Sequence, residues 1–399
     1  MLNPEMFCAE LQRHHISFFC GVPDSLLKYF CYVLQKKESE CRCIVTANEG
    51  NAVALAAGHF IASGEIPCVF MQNSGLGNAV NPLLSLADPE VYSIPMLIVI
   101  GWRGRPGVGD EPQHLRQGKL TLPLIRTMKY PFAILPKEEE KVKPCLDRLL
   151  GKIRKKASPG FLLVQEKSFL PSEPPKVESS AESSREEMLE NLLVGVSPES
   201  FFISTTGKLS RELWEIRERR RQTHAHDFLV VGSMGHASQI ALSISLAKPR
   251  HSVVCLDGDG ALLMHMGALA INGQNAPDHF LHVVFNNAMH ESVGLIPTVA
   301  RKIDLPAVAR ACGYRTAHQV RTKAELFQVL QTISSAEGPH FVEILTNAVS
   351  RKNLGRPTES PYSNLQKLSS ALQMPGPPPD RNNPPDAFRP SLPPGKSDR

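Results

Sequence analysis

Leu256-Asp257-Gly258-Asp259-Gly260-Ala261, with Asn286-Asn287 further along, is the stretch on which the reading of this chain turns. Residues 252–256 form a short apolar run, as expected of a strand covered on both faces of a parallel sheet. The run stops in Asp-Gly-Asp-Gly, where glycines let the backbone turn sharply and approach a ligand closely. Residues 281–285 form a second such run, which stops at Asn286-Asn287. The carboxyl ends of parallel strands are the ligand edge of an open α/β sheet. Backbone N–H groups at the start of the next helix suit a phosphate. A carboxylate beside them repels that phosphate unless a cation bridges the two. Magnesium does so, held by a carboxylate, a neutral amide oxygen and phosphate oxygens. Either motif alone is more often a simple turn or strand stop. Two of them, each ending a buried strand in one α/β unit, point to a metal–diphosphate site.

Outward from this stretch, the chain repeats one rhythm. Residues 190–350 offer strands at 201–204, 228–231, 252–256, 281–285 and 341–345, and helices at 237–246, 264–272 and 323–333. Thr322, with Glu325 three residues on, gives the last helix a capping box. Upstream, 44–46, 68–72, 96–101 and 161–165 are β-rich, and the Ala-rich stretch 52–63 is helical. Such alternation predicts two doubly wound α/β domains with parallel sheets, at 1–170 and 191–350. Between them, 171–190 is rich in Ser, Glu and Pro and is expected to be a linker, leaving no room for a central third domain. From 351 onward a disordered tail is expected; nine of the last 25 residues are proline, which supports no ladder or helix. A proline-rich tail is also a possible ligand for an SH3-type module.

Bulk properties narrow the class. A length of 399 residues suits two domains, and 42% hydrophobic with 21% charged residues is ordinary for a globular protein. The net charge of +5 is mild. The basic runs at 152–156 and 217–221 are short and are expected to be solvated surface, so no nucleic-acid partner is implied. Nine scattered cysteines form no metal framework and suggest reduced thiols. The amino terminus carries no secretory pattern. The longest apolar run, 94–102, is too short to span a bilayer. A cytoplasmic protein without a membrane partner is expected.

Gly-Asp-Gly, a helix, a strand and Asn-Asn together resemble the signature of the thiamine-diphosphate enzymes. The resemblance implies thiamine diphosphate and Mg2+ as cofactors. It places metal ligands at Asp259, at Asn287, 28 residues on, and at the carbonyl of Met289. Gly258, Gly260 and Ala261 then surround the diphosphate. A second family element, a glutamate opening a helix in the other domain, fits Glu49 in Val45-Thr46-Ala47-Asn48-Glu49-Gly50-Asn51-Ala52. By itself Glu49 reads as a helix-start residue favoured by the dipole. The resemblance makes it the proton relay to the cofactor's pyrimidine, while the cofactor supplies the electron sink. Gly232-Ser233-Met234-Gly235 resembles the loop facing the aminopyrimidine, with Met234 as the wedge that bends the cofactor. Thr206 in Thr205-Thr206-Gly207-Lys208 falls beside the diphosphate.

Further stretches resemble the phosphonopyruvate decarboxylases within that family: 19–27 (Phe-Cys-Gly-Val-Pro-Asp-Ser-Leu-Leu), 73–78, 101–104, 110–114, 205–211 and 231–237. The reaction implied is loss of CO2 from 3-phosphonopyruvate. The carbon left behind must then be protonated. Asp24, Ser25, His114 and His290 are candidates for that acid or its partners. A phosphonate dianion calls for cations, and Arg103, Arg105 and Lys208 are available. The family's cofactor lies between chains, so the resemblance implies a homodimer or larger. Sulfopyruvate decarboxylase is the nearest alternative, with an activity usually split between two subunits. A non-catalytic cofactor-binding relative with a regulatory role and an acetolactate-type carboligase are the others. The intact Glu49 and Asp259 speak against the former, and the missing central domain against the latter.

Overall fold

The structure is a computed structural model, and it describes residues 1–37, 40–174, 181–348 and 350–373. It contains two compact units, Met1–Val177 with His290–Pro297, and Glu178–Met289 with Thr298–Arg399.

The first unit carries strands β1 (Phe18–Gly21), β2 (Arg42–Val45), β3 (Cys68–Gln72), β4 (Met96–Gly101), β5 (Phe132–Ile134) and β6 (Pro159–Val164). They form one parallel sheet in the order β2-β1-β3-β4-β6-β5. Side chains alternate across it. Leu97 and Val99 of β4 join one apolar layer with Phe19, Phe70 and Leu162. Met96, Ile98 and Ile100 join the other with Val69, Met71 and Phe161. Every residue of β4 is buried, which explains why its sequence is continuously apolar rather than alternating.

The second unit carries β7 (Phe201–Ser204), β8 (Asp227–Leu229), β9 (Val253–Gly258) and β10 (Phe280–Asn286). In sequence two short strands follow, β11 (Met289–His290) and β12 (Ile296–Pro297), of which residues His290–Pro297 belong to the first unit; β13 (Thr316–Val320) and β14 (His340–Leu345) then complete the second. The main sheet is again parallel and six-stranded, in the order β13-β14-β10-β9-β7-β8. Two apolar layers sandwich it in the same way. Both sheets reverse winding beside a central strand, at β1/β3 and at β7/β9. Such switch points open a crevice at the strands' carboxyl ends.

Several details depart from the sequence reading. β1, β5 and β13 were not among the expected strands. The expected helix 264–272 is two helices, Asp259–Met264 and Ala268–Asn275. The linker expected at 171–190 ends early, because Ser184 caps a helix Arg185–Gly195 whose Met188, Leu189 and Leu192 are buried. Part of the expected tail is ordered as well. Helix Pro361–Gln373 buries Leu368 and packs by β8, where the Asn364 side chain accepts from Leu229 N (3.0 Å) and donates to Asp227 O (2.8 Å). The proline-rich remainder, 374–399, lies outside the described residues. The basic run 217–221 is not all solvated surface. Arg217 is buried, paired with Asp227 through two 3.0 Å hydrogen bonds, and lies over the Phe202 ring. None of the nine cysteines is joined in a disulfide. No helix among the described residues is long and apolar enough to cross a membrane.

Candidate active site

In the second unit, β9 ends at Gly258, and Asp259 opens the next helix. Its carboxylate is buried, and that burial pushes its pKa up to about 7. A carboxylate so desolvated calls for a cation beside it. Thr298 Oγ1 donates to Asp259 Oδ2 at 2.5 Å and fixes the carboxylate's rotation. At the end of β10, Asn287 is also buried, and its Oδ1 accepts from Met289 N at 3.0 Å. Between them Ala288 adopts a left-handed conformation, φ 58°. Asn286 stabilises this turn, since its Oδ1 accepts from Ala288 N at 2.9 Å. Glu343 of β14 in turn accepts from Asn286 Nδ2 (2.6 Å) and from Gln319 Nε2 (2.7 Å). Behind the loop, Asp257 accepts from Gly258 N, and His282 lies 3.5 Å from its other oxygen. Cys255, Asp257 and His282 converge there as a buried group.

A carboxylate, an amide oxygen and a backbone carbonyl form a hard-oxygen set suited to magnesium. The buried Thr205 hydroxyl, at the end of β7, has no protein partner and is free to meet a ligand oxygen. Thr206 Oγ1 donates to Val231 O at 2.8 Å, tying its loop to the Gly232-Ser233-Met234 loop. Ser233 and Gly235 both have positive φ, 49° and 83°. His236 Nδ1 lies 3.1 and 3.2 Å from the carbonyl oxygens of Ser233 and Met234, to which only its N–H form can donate, and its ring lies 4.5 Å from that of His265. The residues present therefore fit a magnesium-held diphosphate.

In the first unit, Asn48 caps the helix Glu49–Ser63 and leaves Glu49 buried at its first position. Asn78 Nδ2 donates to Glu49 Oε2 at 2.8 Å. Gly75 lies against the same carboxylate so closely that a Cβ there would collide with it. Asp24, after β1, is fully buried and accepts from Gln72 Nε2 (2.6 Å) and Leu26 N (2.7 Å). Burial pushes its carboxyl above the ordinary range. Gly101 leaves the room that Asp24 occupies. Ser25 Oγ accepts from Arg103 Nη1 at 2.9 Å. Desolvation, with the nearby Arg103, lowers the His114 imidazole, and its Nδ1 is buried without a partner.

The segment 72–78 ties Asp24 and Glu49 directly and Ser25 through Arg103, and His114 lies near enough to Arg103 to feel its charge. His290 stands apart from this cluster in sequence; desolvation lowers its imidazole to about 4. Thr298, Glu343, Asp257, Gln72 and Asn78 were not expected from the sequence. Gln72 and Asp257 show in the sequence only as polar residues at the ends of apolar runs, whereas Glu343 lies inside β14, Asn78 inside a helix and Thr298 before a short turn.

Residues 4–121 match the N-terminal TPP binding domain of thiamine pyrophosphate enzymes, and residues 205–344 match the C-terminal TPP binding domain. The chain is 34% identical to a phosphonopyruvate decarboxylase of Streptomyces viridochromogenes, across 94% of this chain and 96% of that one. A phosphonopyruvate decarboxylase of Streptomyces hygroscopicus is 33% identical over the same shares. A sulfopyruvate decarboxylase of Methanosarcina acetivorans is 26% identical, over 86% of this chain and 92% of its own. Since that relative also carries both halves in one chain, chain organisation does not separate the two activities. On the match of both halves and the near full-length likeness, the chain belongs to the thiamine-pyrophosphate-dependent decarboxylase family.

Proposed function

We propose that the chain decarboxylates 3-phosphonopyruvate to phosphonoacetaldehyde and CO2, with thiamine diphosphate held through Mg2+. The observation that carries this reading is the pairing of a desolvated Asp259 with Asn287 at one sheet edge, in a chain alike to phosphonopyruvate decarboxylases along nearly its whole length. Asp259, Asn287 and the Met289 carbonyl would hold the metal. Gly258, Gly260, Ala261 and Thr206 would border the diphosphate, and Gly232, Ser233 and Met234 the pyrimidine. Bound there, thiamine diphosphate supplies the carbon nucleophile and the electron sink.

Glu49 would hydrogen-bond the pyrimidine nitrogen and relay a proton there, and Asn78 fixes the direction of its carboxyl. After CO2 leaves, a proton must reach the substrate carbon. Asp24, whose carboxyl burial raises above the ordinary range, is the donor in this reading, with Ser25, His114 and His290 as polar neighbours. A second copy of the chain completes the site, pairing Glu49 of one copy with Asp259 of the other.

A second reading, sulfopyruvate decarboxylation, is favoured by the Methanosarcina acetivorans relative. Purified protein with thiamine diphosphate, with and without Mg2+, is to be offered phosphonopyruvate, sulfopyruvate and pyruvate in parallel. Aldehyde release from phosphonopyruvate, dependent on Mg2+, is the expected result. Turnover of sulfopyruvate alone would transfer the assignment to the second reading, and turnover of neither would remove both.

A further inference from the structure

We propose that Arg103, locked in place by Asp110, is the residue that recognises the distal anion of the substrate and sets the preference for a phosphonate-bearing 2-oxo acid. This inference rests on the reading just given. Three cations stand on glycine-containing loops, and the structure separates them. Arg105 pairs with Glu166 at 2.6 Å, with both side chains roughly a third exposed. Lys208 opens helix Lys208–Arg219 directly after the Thr205-Thr206 turn, which the reading gives to the cofactor's diphosphate rather than to the substrate. Arg103 is bonded to Ser25 and, through Asn73, to the segment 72–78 that also holds Asp24 and Glu49.

Its surroundings are those of a positioned binding group. Nε and Nη2 donate to the two Asp110 oxygens at 2.8 and 2.5 Å, in the fork geometry that fixes a guanidinium plane. Asp110 is itself saturated, since its oxygens also accept from Gly104 N and Glu111 N, both at 2.8 Å. The backbone of Arg103 is clamped as well. Its N–H donates to Asn73 Oδ1 at 3.1 Å, and its carbonyl accepts from Asn73 Nδ2 at 2.9 Å. Nη1 donates to Ser25 Oγ at 2.9 Å. A guanidinium has five N–H groups, and these three bonds leave two for a ligand. The Ser25 oxygen receives an N–H, so its own proton is free to be donated outward. The side chain is 21% exposed, so a ligand reaches it without opening the fold.

One rigid cation and one hydroxyl side by side make a donor site for a tetrahedral oxyanion. The link to the chemistry is the segment 72–78. Asn73 holds Arg103, Gln72 holds Asp24, and Gly75 and Asn78 hold Glu49. An anion bound at Arg103 is therefore placed on the same edge as the groups that move protons.

The test uses holoenzyme carrying Arg103→Met, Arg103→Lys, and Arg103→Met with Asp110→Asn, the double variant relieving the carboxylate stranded by the first. Circular dichroism and melting check the fold. Loss of one charged hydrogen-bonded contact corresponds to about 10- to 100-fold in affinity. For Arg103→Met and the double variant, the expected result is a KM for phosphonopyruvate raised at least about tenfold, with a smaller change in kcat. The ratio of kcat/KM for phosphonopyruvate over pyruvate should fall by the same factor, with Arg103→Lys in between. An unchanged ratio in the double variant overturns the inference and leaves the decarboxylase reading standing. Calorimetry with phosphonoacetate, which has the anion but no 2-oxo group, covers the remaining case. If wild-type holoenzyme fails to turn over phosphonopyruvate, the reading of function falls. Binding of phosphonoacetate that is lost in the double variant then still supports the anion site, and binding that persists, or is absent from the wild type, overturns it.

Discussion

Glu49 touches one amide and one glycine, and that is enough to fix its carboxyl group. Glu49→Gln keeps the shape and removes the acid. We expect cofactor affinity by fluorescence titration to stay near wild type while turnover falls by about 10²- to 10⁴-fold. Retained turnover would exclude the role. Asp259→Ala removes the buried carboxylate from the metal loop, so Mg2+ and cofactor binding should be lost together in a calorimetric titration. Glu343 acts one step further out, through Asn286. Glu343→Gln sets an amide against one of two amide donors and should weaken Mg2+ binding by about tenfold or more, the usual effect of losing a group that orients a ligand. Unchanged Mg2+ affinity counts against that chain of contacts. Asp110 gives a pH-dependent prediction. Burial alone would raise its carboxyl, but Arg103 and the amides of Glu111 and Gly104 outweigh that and hold it well below the usual range. A depressed folded pKa contributes stability above the unfolded value and loses it as pH falls through the folded one. The stability gap between wild type and Asp110→Asn, read by urea unfolding, should therefore be full at about pH 6 and narrow below about pH 3.8. Glu49, Asp259 and Asn287 could be singled out in the sequence because each sits in a local motif. Thr298, Glu343 and Gln72 could not, since each acquires its meaning from a partner on another element.

Among the elements, the long buried strands were the legible ones. β4, β9, β10 and β14 are strands of six or seven mostly apolar residues, and the structure places them at or near the centres of the sheets. β5 has three residues and stands at a sheet edge, half exposed, so its pattern resembles a loop. β13 is likewise an edge strand of mixed polarity, and its His318 and Gln319 masked it. Helix Pro361–Gln373 was hidden by the proline-rich composition that follows it. Its attachment depends on a polar side chain at one point. Asn364 satisfies both a donor of β8 and a carbonyl at the strand's start, and it is buried. Asn364→Ala strands both backbone groups and should cost about 1–3 kcal/mol for each left without a partner. A fall in melting temperature of several degrees is the expected reading. A fall of less than a degree would mean that Leu368 and its neighbours hold the helix unaided.

At the scale of the molecule, the two α/β units were legible because the strand–helix rhythm starts twice, whereas the boundary between them was placed too late. Ser184 looks like linker composition, but it is a helix cap, and only the buried Met188 and Leu189 beyond it show that packing has begun. The arrangement of chains follows from the proposed chemistry, and it admits a direct test. If Glu49 of one copy serves Asp259 of another, a dimer of one Glu49→Gln chain and one Asp259→Ala chain has one site with both groups intact and one with neither. Each variant alone should be inactive. Unfolded together in equal amounts and refolded, they should recover about a quarter of wild-type activity, because half the dimers are mixed and each has one working site of two. If both groups came from the same chain, every site in the mixed dimer would lack one of them and no activity would return. The mixture must first be shown by mass spectrometry to contain mixed dimers. With that established, silence in the assay would remove the two-chain site.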